Sequence, residues 1–189
     1  MKLIFSIVFF FMSLNVNAEK INWPSKDLPK DPIQYFAQLK QQLGSSWEKN
    51  YGILATVDHE HQPQQRLMRI FSVTQEGIVF YTHAHTNKAL EFRENPNISL
   101  LIFWRYGHEV IQTQVSGKVQ LLGKGSSNFL KSKIDDDFNQ YVIKPTSIKF
   151  TLSDSFAKNN RVTHKKILYF RNNGKWTASQ KTYSIPRPK

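Results

Sequence analysis

Gly52-Ile-Leu-Ala-Thr-Val-Asp58, Gln65-Arg-Leu-Met-Arg-Ile-Phe71, Gly77-Ile-Val-Phe-Tyr-Thr82, Ile98-Ser-Leu-Leu-Ile-Phe-Trp104 and Glu109-Val-Ile-Gln-Thr-Gln-Val-Ser-Gly117-Lys118 follow one another in a single stretch. Each run is short and apolar or alternating, and each is separated from the next by turn-forming residues. Runs of this kind at this spacing predict antiparallel sheet closing into a barrel. Ile53–Val57, Gln65–Val73, Ile78–Thr82, Ile98–Trp104 and Val110–Lys118 are the expected strands, and Gln75-Glu-Gly77 a hairpin turn. His83–Thr86 reads as a loop. Thr86 is placed to cap a helix over Lys88–Arg93, which Asn95-Pro96 ends. Ile98–Trp104 is nearly continuous apolar sequence, as for a strand covered on both faces or lying under a partner.

The same signals continue on either side. Toward the C-terminus, Ile148–Leu152 and Lys166–Phe170 read as closing strands, Asn172-Asn-Gly174 as a hairpin turn, and Trp176 as a side chain packed on the barrel. Residues from Gln180 on are basic and proline-containing and read as a loose tail. Toward the N-terminus, prolines 24, 29 and 32 predict an extended arm. Asp31-Pro32 is an N-cap followed by proline at the first helical position, and Ile33, Phe36, Ala37, Leu39, Lys40 and Leu43 recur at helical spacing up to Gly44, a candidate C-cap. The apolar face of that helix is available to plug one end of the barrel.

Met1-Lys2 precedes an apolar run to Leu14, then Asn15-Val-Asn-Ala18, the layout of a secretory signal peptide with cleavage expected after Ala18. The run is short for a membrane span, which needs about 20 apolar residues. The expected organisation is therefore a signal peptide over 1–18, an arm and helix over 19–50, a barrel domain over 51–180 and a basic tail over 181–189. An exported protein, periplasmic or secreted, with no stable membrane insertion after cleavage, is implied.

The 189 residues are 40% hydrophobic with 14 Phe, enough for one domain with a packed core and against disorder. With no Cys, disulfides and thiolate metal sites are excluded. The net charge of +12 favours acidic partners, from phosphorylated small molecules to nucleic acid. No aromatic–basic motif of the single-strand-binding kind accompanies it, so nucleic acid is not expected. His59/His61 and His83/His85 fall two apart, but in expected loops without a carboxylate pattern, so no metal is expected. Nucleophile-elbow, Walker and Rossmann motifs are missing from the sequence.

Taken in order, Leu-Ala-Thr-Val-Asp, Gln-Pro-x-x-Arg, Gly-x-Val-Phe-Tyr-Thr, Thr-x-Lys, Glu-Asn-Pro-x-x-Ser-Leu-Leu-x-x-Trp and Gln-x-x-x-x-Gly-Lys resemble the pyridoxamine 5′-phosphate oxidase family. The resemblance runs over Tyr51–Leu122 and resumes at Ile148–Phe150 and from His164 to Trp176. It implies a mainly β fold, the FMN-binding split β-barrel with a few helices, working as a homodimer on a small-molecule substrate. FMN carries a phosphate that wants a guanidinium, an ammonium and hydroxyl donors. Arg66, Lys88, Thr86 and Thr82 match the family's phosphate-gripping positions, Tyr81 lies with Thr82 on the pocket wall, and Gln112 matches the amide that meets the flavin ring. Residues 66–71 supply the rest of that wall. The site is expected at the subunit seam, one chain giving Arg66, Thr82 and Lys88 and the other Gln112 or the His164 region.

This chain also departs from the family. Phe71 stands where a lysine is usual, Asn87 and Lys166 where arginines are, and Thr151 where a tryptophan is, so the FMN site is thinned. On the substrate side, the family's Tyr, Arg and Ser spaced four apart become Phe129, Lys133 and Asp137, and Asp135-Asp-Asp137 repels phosphate. Lys133 and His164 remain as substrate-binding candidates. The expected function is an FMN-dependent oxidoreductase that moves a hydride from a small substrate, not vitamin B6 phosphate, to flavin, with no catalytic side chain required. The alternative is a non-catalytic flavin- or haem-binding protein on the same barrel, with His164 or His108 as axial candidates.

Overall fold

The structure, a computed structural model, describes residues 21, 23–24, 27–43, 50–124, 137–154 and 161–186. The expected signal peptide, Gly44 and Lys133 lie outside the described residues. The elements run α1 (Pro32–Gln42), β1 (Tyr51–Val57), β2 (Pro63–Arg69), β3 (Ser72–Thr74), β4 (Gly77–His83), α2 (Asn87–Glu94), β5 (Asn97–Tyr106), β6 (Glu109–Lys124), β7 (Phe138–Asp154), β8 (Arg161–Asn172) and β9 (Lys175–Pro186). All strands pair antiparallel in one nine-stranded sheet of order β2-β1-β5-β6-β7-β4-β3, with β8 on the free side of β7 and β9 on β8.

The sheet closes because the chain steps from one of its edges to the other within two residues. Gln65–Val73, expected as one strand, is divided between β2 and β3. At the division the Ile70 amide donates to the Asn50 carbonyl (2.6 Å), beside β1, and the Phe71 amide donates to Val79 (2.9 Å), on β4. The backbone hydrogen-bonding directions of neighbouring residues thus serve opposite edges, which the side-chain pattern alone does not reveal.

β7 carries the split. Its first part, Phe138–Ile143, pairs with β4, and its second, Ser147–Asp154, pairs with β8, while β6 accompanies both. The change of neighbour falls at Pro145, where the β6–β7 register shifts between Ser116 and Gly117. Proline has no amide to give a ladder and is tolerated at such a bulge. A Cβ on Gly117 would lie 2.3 Å from the Lys144 carbonyl oxygen, so the two backbones meet at a distance only glycine permits.

The core lies between the inner face of the sheet and the two helices. Leu54, Leu100, Ile102, Ile111, Val115, Ile148, Phe150 and Ile167 are at most 1% exposed. Asp31 caps α1 by accepting from the amides of Ile33 (2.9 Å) and Gln34 (3.3 Å), and α1 then inserts Phe36 against Trp104 and Tyr35 against Phe150. α2 is held by Ala89 and by Phe92, whose ring meets Phe80 and Tyr141 edge-on. Leu43 is the C-cap of α1.

Three expectations are corrected. Of the two alternatives expected for β5, coverage on both faces is not met within one chain, which leaves the strand lying under a partner: Leu100, Ile102 and Trp104 are buried, whereas Leu101 and Phe103 are 38% and 57% exposed. The long apolar run is an inner face plus an apolar outer one. Second, β6 and β7 extend well beyond Val110–Lys118 and Ile148–Leu152, because β7 continues past the bulge to a new neighbour and β6 stays paired with it on both sides. Third, residues 181–186 are not a loose tail but the second half of β9, paired with Arg161–Lys166. The turn expected at Asn172-Asn-Gly174 forms the β8–β9 hairpin, with positive φ at Asn173 and Gly174 as a type I′ turn requires. Among the described residues no helix is long and apolar enough to cross a membrane.

Candidate functional site

An open cleft of about 660 Å³ lies between the β1–β2 hairpin and α2, lined among others by Asp58, Arg66, Thr86, Lys88, Glu91 and Glu94. Sheet geometry brings Arg66 here. It pairs with Leu54, whose other neighbour is the buried Leu100, so its side chain leaves from the inner side of the sheet at the β2 edge. α2 begins at the same place. Thr86 is its N-cap in extended conformation, but its hydroxyl donates to the His83 carbonyl (3.0 Å), and among the described residues no side chain caps the first turn. First-turn amides have no acceptor within a helix, so this end favours an anion.

The electrostatics hold a feature that the sequence pattern did not show. Arg66 is not free. Its Nη2 donates to Glu91 Oε2 at 2.8 Å, its Nη1 donates to the Thr56 hydroxyl, and that hydroxyl donates to Glu91 Oε2. The Glu91 side chain is only 8% exposed and that of Arg66 22%. Burial holds the Lys88 ammonium below the ordinary lysine range; the Arg66 guanidinium adds to this and Glu91 opposes it. Asp58 is held below the usual carboxylate range, chiefly by the Gln62 amide, and it also accepts from Gln64 Nε2 at 2.7 Å. The wall therefore sets two cations, Arg66 and Lys88, against three carboxylates, Asp58, Glu91 and Glu94.

Of the other candidate residues, Thr82 is buried behind the cleft with its hydroxyl 3.4 Å from that of Thr86. Tyr81 leaves the opposite side of β4 and meets Phe71 edge-on at 4.8 Å. Gln112 is exposed on the outer face of the sheet, opposite Phe103, while its neighbours Ile111 and Thr113 are buried. His164 lies on that outer face too, its Nδ1 2.8 Å from the Ser153 hydroxyl and its ring stacked on Tyr183. Within one chain, then, Arg66, Thr86 and Lys88 share a cleft, and Gln112 and His164 face away from it.

Thr56 and Glu91 were not singled out from the sequence. Glu91 follows Lys88 by three residues and so shares its helical side, but a glutamate on a short polar helix gives no sign of burial.

A family model for pyridoxamine 5′-phosphate oxidase matches residues 37–152. The chain belongs to the pyridoxamine 5′-phosphate oxidase family. It is 26% identical over 141 residues to a pyridoxine/pyridoxamine 5′-phosphate oxidase of Psychrobacter cryohalolentis, a match covering 72% of this chain and 64% of that one. It is 35% identical over 99 residues to the Enterobacter enzyme of the same name, covering 51% of this chain and 44% of that one. The matches thus span about half to two thirds of the relatives' length. Among solved structures, PhzG from Burkholderia lata, in complex with tetrahydrophenazine-1-carboxylic acid, superposes with a TM-score of 0.63 at 18% identity, covering 83% of this chain and 95% of that one. A pyridoxamine 5′-phosphate oxidase-related, FMN-binding protein from Nostoc punctiforme gives 0.58 at 15% identity, covering 83% and 99%. The family's split β-barrel is the fold of this chain.

The donor set of the cleft fits a phosphate in type: a guanidinium, an ammonium, hydroxyls and the first amides of a helix. Of the three carboxylates that line it, Glu91 opposes a phosphate most directly, because it holds Arg66.

Proposed function

We propose that this protein binds FMN and works as an oxidoreductase on a small substrate. The observation that carries the reading is the meeting of Arg66, Lys88, Thr86 and the start of α2 in one cleft of a split barrel of this family. Arg66 and Lys88 would hold the phosphate, with Thr86 and the α2 amides completing its hydrogen bonds. When bound, the flavin supplies the two-electron chemistry, and the chain supplies grip, orientation and an apolar wall.

The ring end of the site requires a second copy. Gln112 lies on the outer face, and that face is apolar: Leu67, Ile53 and Leu101 stand in one cross-strand row, 67%, 43% and 38% exposed, with Phe103 in the next. An exposed row of this kind on a sheet is the mark of an interface. A homodimer across it covers the row and brings one chain's Gln112 toward the other's cleft. The substrate side lacks the family's phosphate clamp in sequence, which argues against vitamin B6 phosphate as substrate.

The test is an absorption spectrum of the purified protein. Flavin bands support this reading, and a Soret band supports haem. Arg66→Ala combined with Lys88→Ala should weaken FMN binding and remove any preference for FMN over riboflavin while near-ultraviolet circular dichroism stays native; a double variant that still prefers FMN would displace the site. Export is proposed on the N-terminal signal pattern, and mass spectrometry of the mature protein should then find Glu19 first.

A further inference from the structure

We propose that Glu91 is an internal competitor for the cofactor phosphate and sets how strongly the cleft prefers a phosphorylated flavin over the unphosphorylated one. The inference rests on the reading that the FMN phosphate enters the Arg66–Lys88 cleft. A carboxylate and a phosphate use a guanidinium in the same way, through paired N–H···O contacts. Here a carboxylate from the chain itself already holds Arg66, at 2.8 Å from Nη2. Thr56, which could donate to an incoming anion, donates to Glu91 as well.

Glu91 does not readily leave. It is 6% exposed, on a helix fixed by Ala89 and Phe92, and it is bound from two strands, by Thr56 on β1 and Arg66 on β2. An arriving phosphate therefore meets an arginine already engaged and a like charge beside it. It gains from Arg66 only the excess over what Glu91 gives up. The ribityl chain and the ring carry no charge that Glu91 opposes. The effect falls on the phosphate alone, so the distinction between FMN and riboflavin is compressed. Glu91→Gln keeps the shape and one acceptor oxygen but removes the charge, which releases Arg66 to the phosphate. Glu94 lines the same cleft from the exposed side of α2 without holding Arg66, and its neutralisation serves as the control.

The experiment titrates FMN and riboflavin, by fluorescence quenching, into the flavin-free mature protein and into its Glu91→Gln and Glu94→Gln variants. The natural protein should prefer FMN over riboflavin by no more than about tenfold. Glu91→Gln should tighten FMN by about tenfold and leave riboflavin within about twofold, while Glu94→Gln leaves the ratio unchanged. An unchanged ratio in a folded Glu91→Gln variant overturns the proposal. So does a natural protein that already prefers FMN by about a thousandfold, a measurement that stands even where the variant does not fold. If the natural protein takes up neither flavin, the FMN reading itself is what fails.

Discussion

Removing Arg66 should cost stability chiefly through what it leaves behind. In Arg66→Ala, Glu91 keeps a charge in a position 8% exposed, with the Thr56 hydroxyl as its hydrogen-bond partner among the described residues and the half-exposed Lys88 as the nearby cation. Breaking a fully buried ion pair from one side costs about 3–5 kcal/mol, and an exposed pair less than about 1. Arg66 retains 22% exposure where the cleft opens, so water can reach part of the vacated space and the expected loss is about 2–3 kcal/mol. For a chain of this size that lowers the melting temperature by roughly 5–10 °C. Adding Glu91→Gln removes the stranded charge, and the double variant should recover about 2 kcal/mol relative to Arg66→Ala. Urea unfolding of the natural protein, both single variants and the double variant closes the cycle, provided the slope with denaturant is common to all four. A double variant as unstable as Arg66→Ala would refute the reasoning, because the loss would then come from packing of the arginine stem and not from the carboxylate.

Other consequences follow from the core and the outer face. The Tyr169 hydroxyl is buried and lacks a hydrogen-bond partner among the described residues, so Tyr169→Phe should stabilise the protein by about 1 kcal/mol at neutral pH, measured by urea unfolding. Burial pushes the Tyr169 phenol from 10.0 up to about 12. Its contribution is therefore intact below pH 10 and lost as the pH rises toward 12, a drop of about 2 kcal/mol that Tyr169→Phe should remove from the alkaline unfolding curve. Gly117→Ala places a methyl 2.3 Å from the Lys144 carbonyl oxygen, and should cost about 3 kcal/mol or prevent folding, read from the denaturant midpoint or from soluble yield. Leu101→Lys with Phe103→Lys should convert the proposed dimer to a folded monomer in light scattering; a natural protein that is already monomeric would remove the seam from the argument.

The parts of this fold that depend on neighbours in sequence could be read from sequence. Asp31-Pro32 starts α1, Asn173-Gly174 turns β8 into β9, and the short apolar runs at β1 and β4 are strands as their residues predict. Gln65–Val73 could not be read correctly, because its division depends on which distant edges the amides of Ile70 and Phe71 reach. The length of β7 was hidden for a similar reason. Pro145 looks like an end of strand, and only the close approach of Gly117 across the pair makes it a bend within one.

The candidate site divides along the same line. The sequence by itself determined the family and the types of group available for a phosphate, since order and residue type are properties of the chain. Only the tertiary structure decided that Arg66 meets Glu91 and Thr56, and that Gln112 faces away from Lys88. An ion pair between residues 25 apart leaves no periodic trace, and the face a strand residue takes is set by what packs against it. Burial turns an ordinary helix glutamate into a rival for the arginine, because away from water its charge has few other partners.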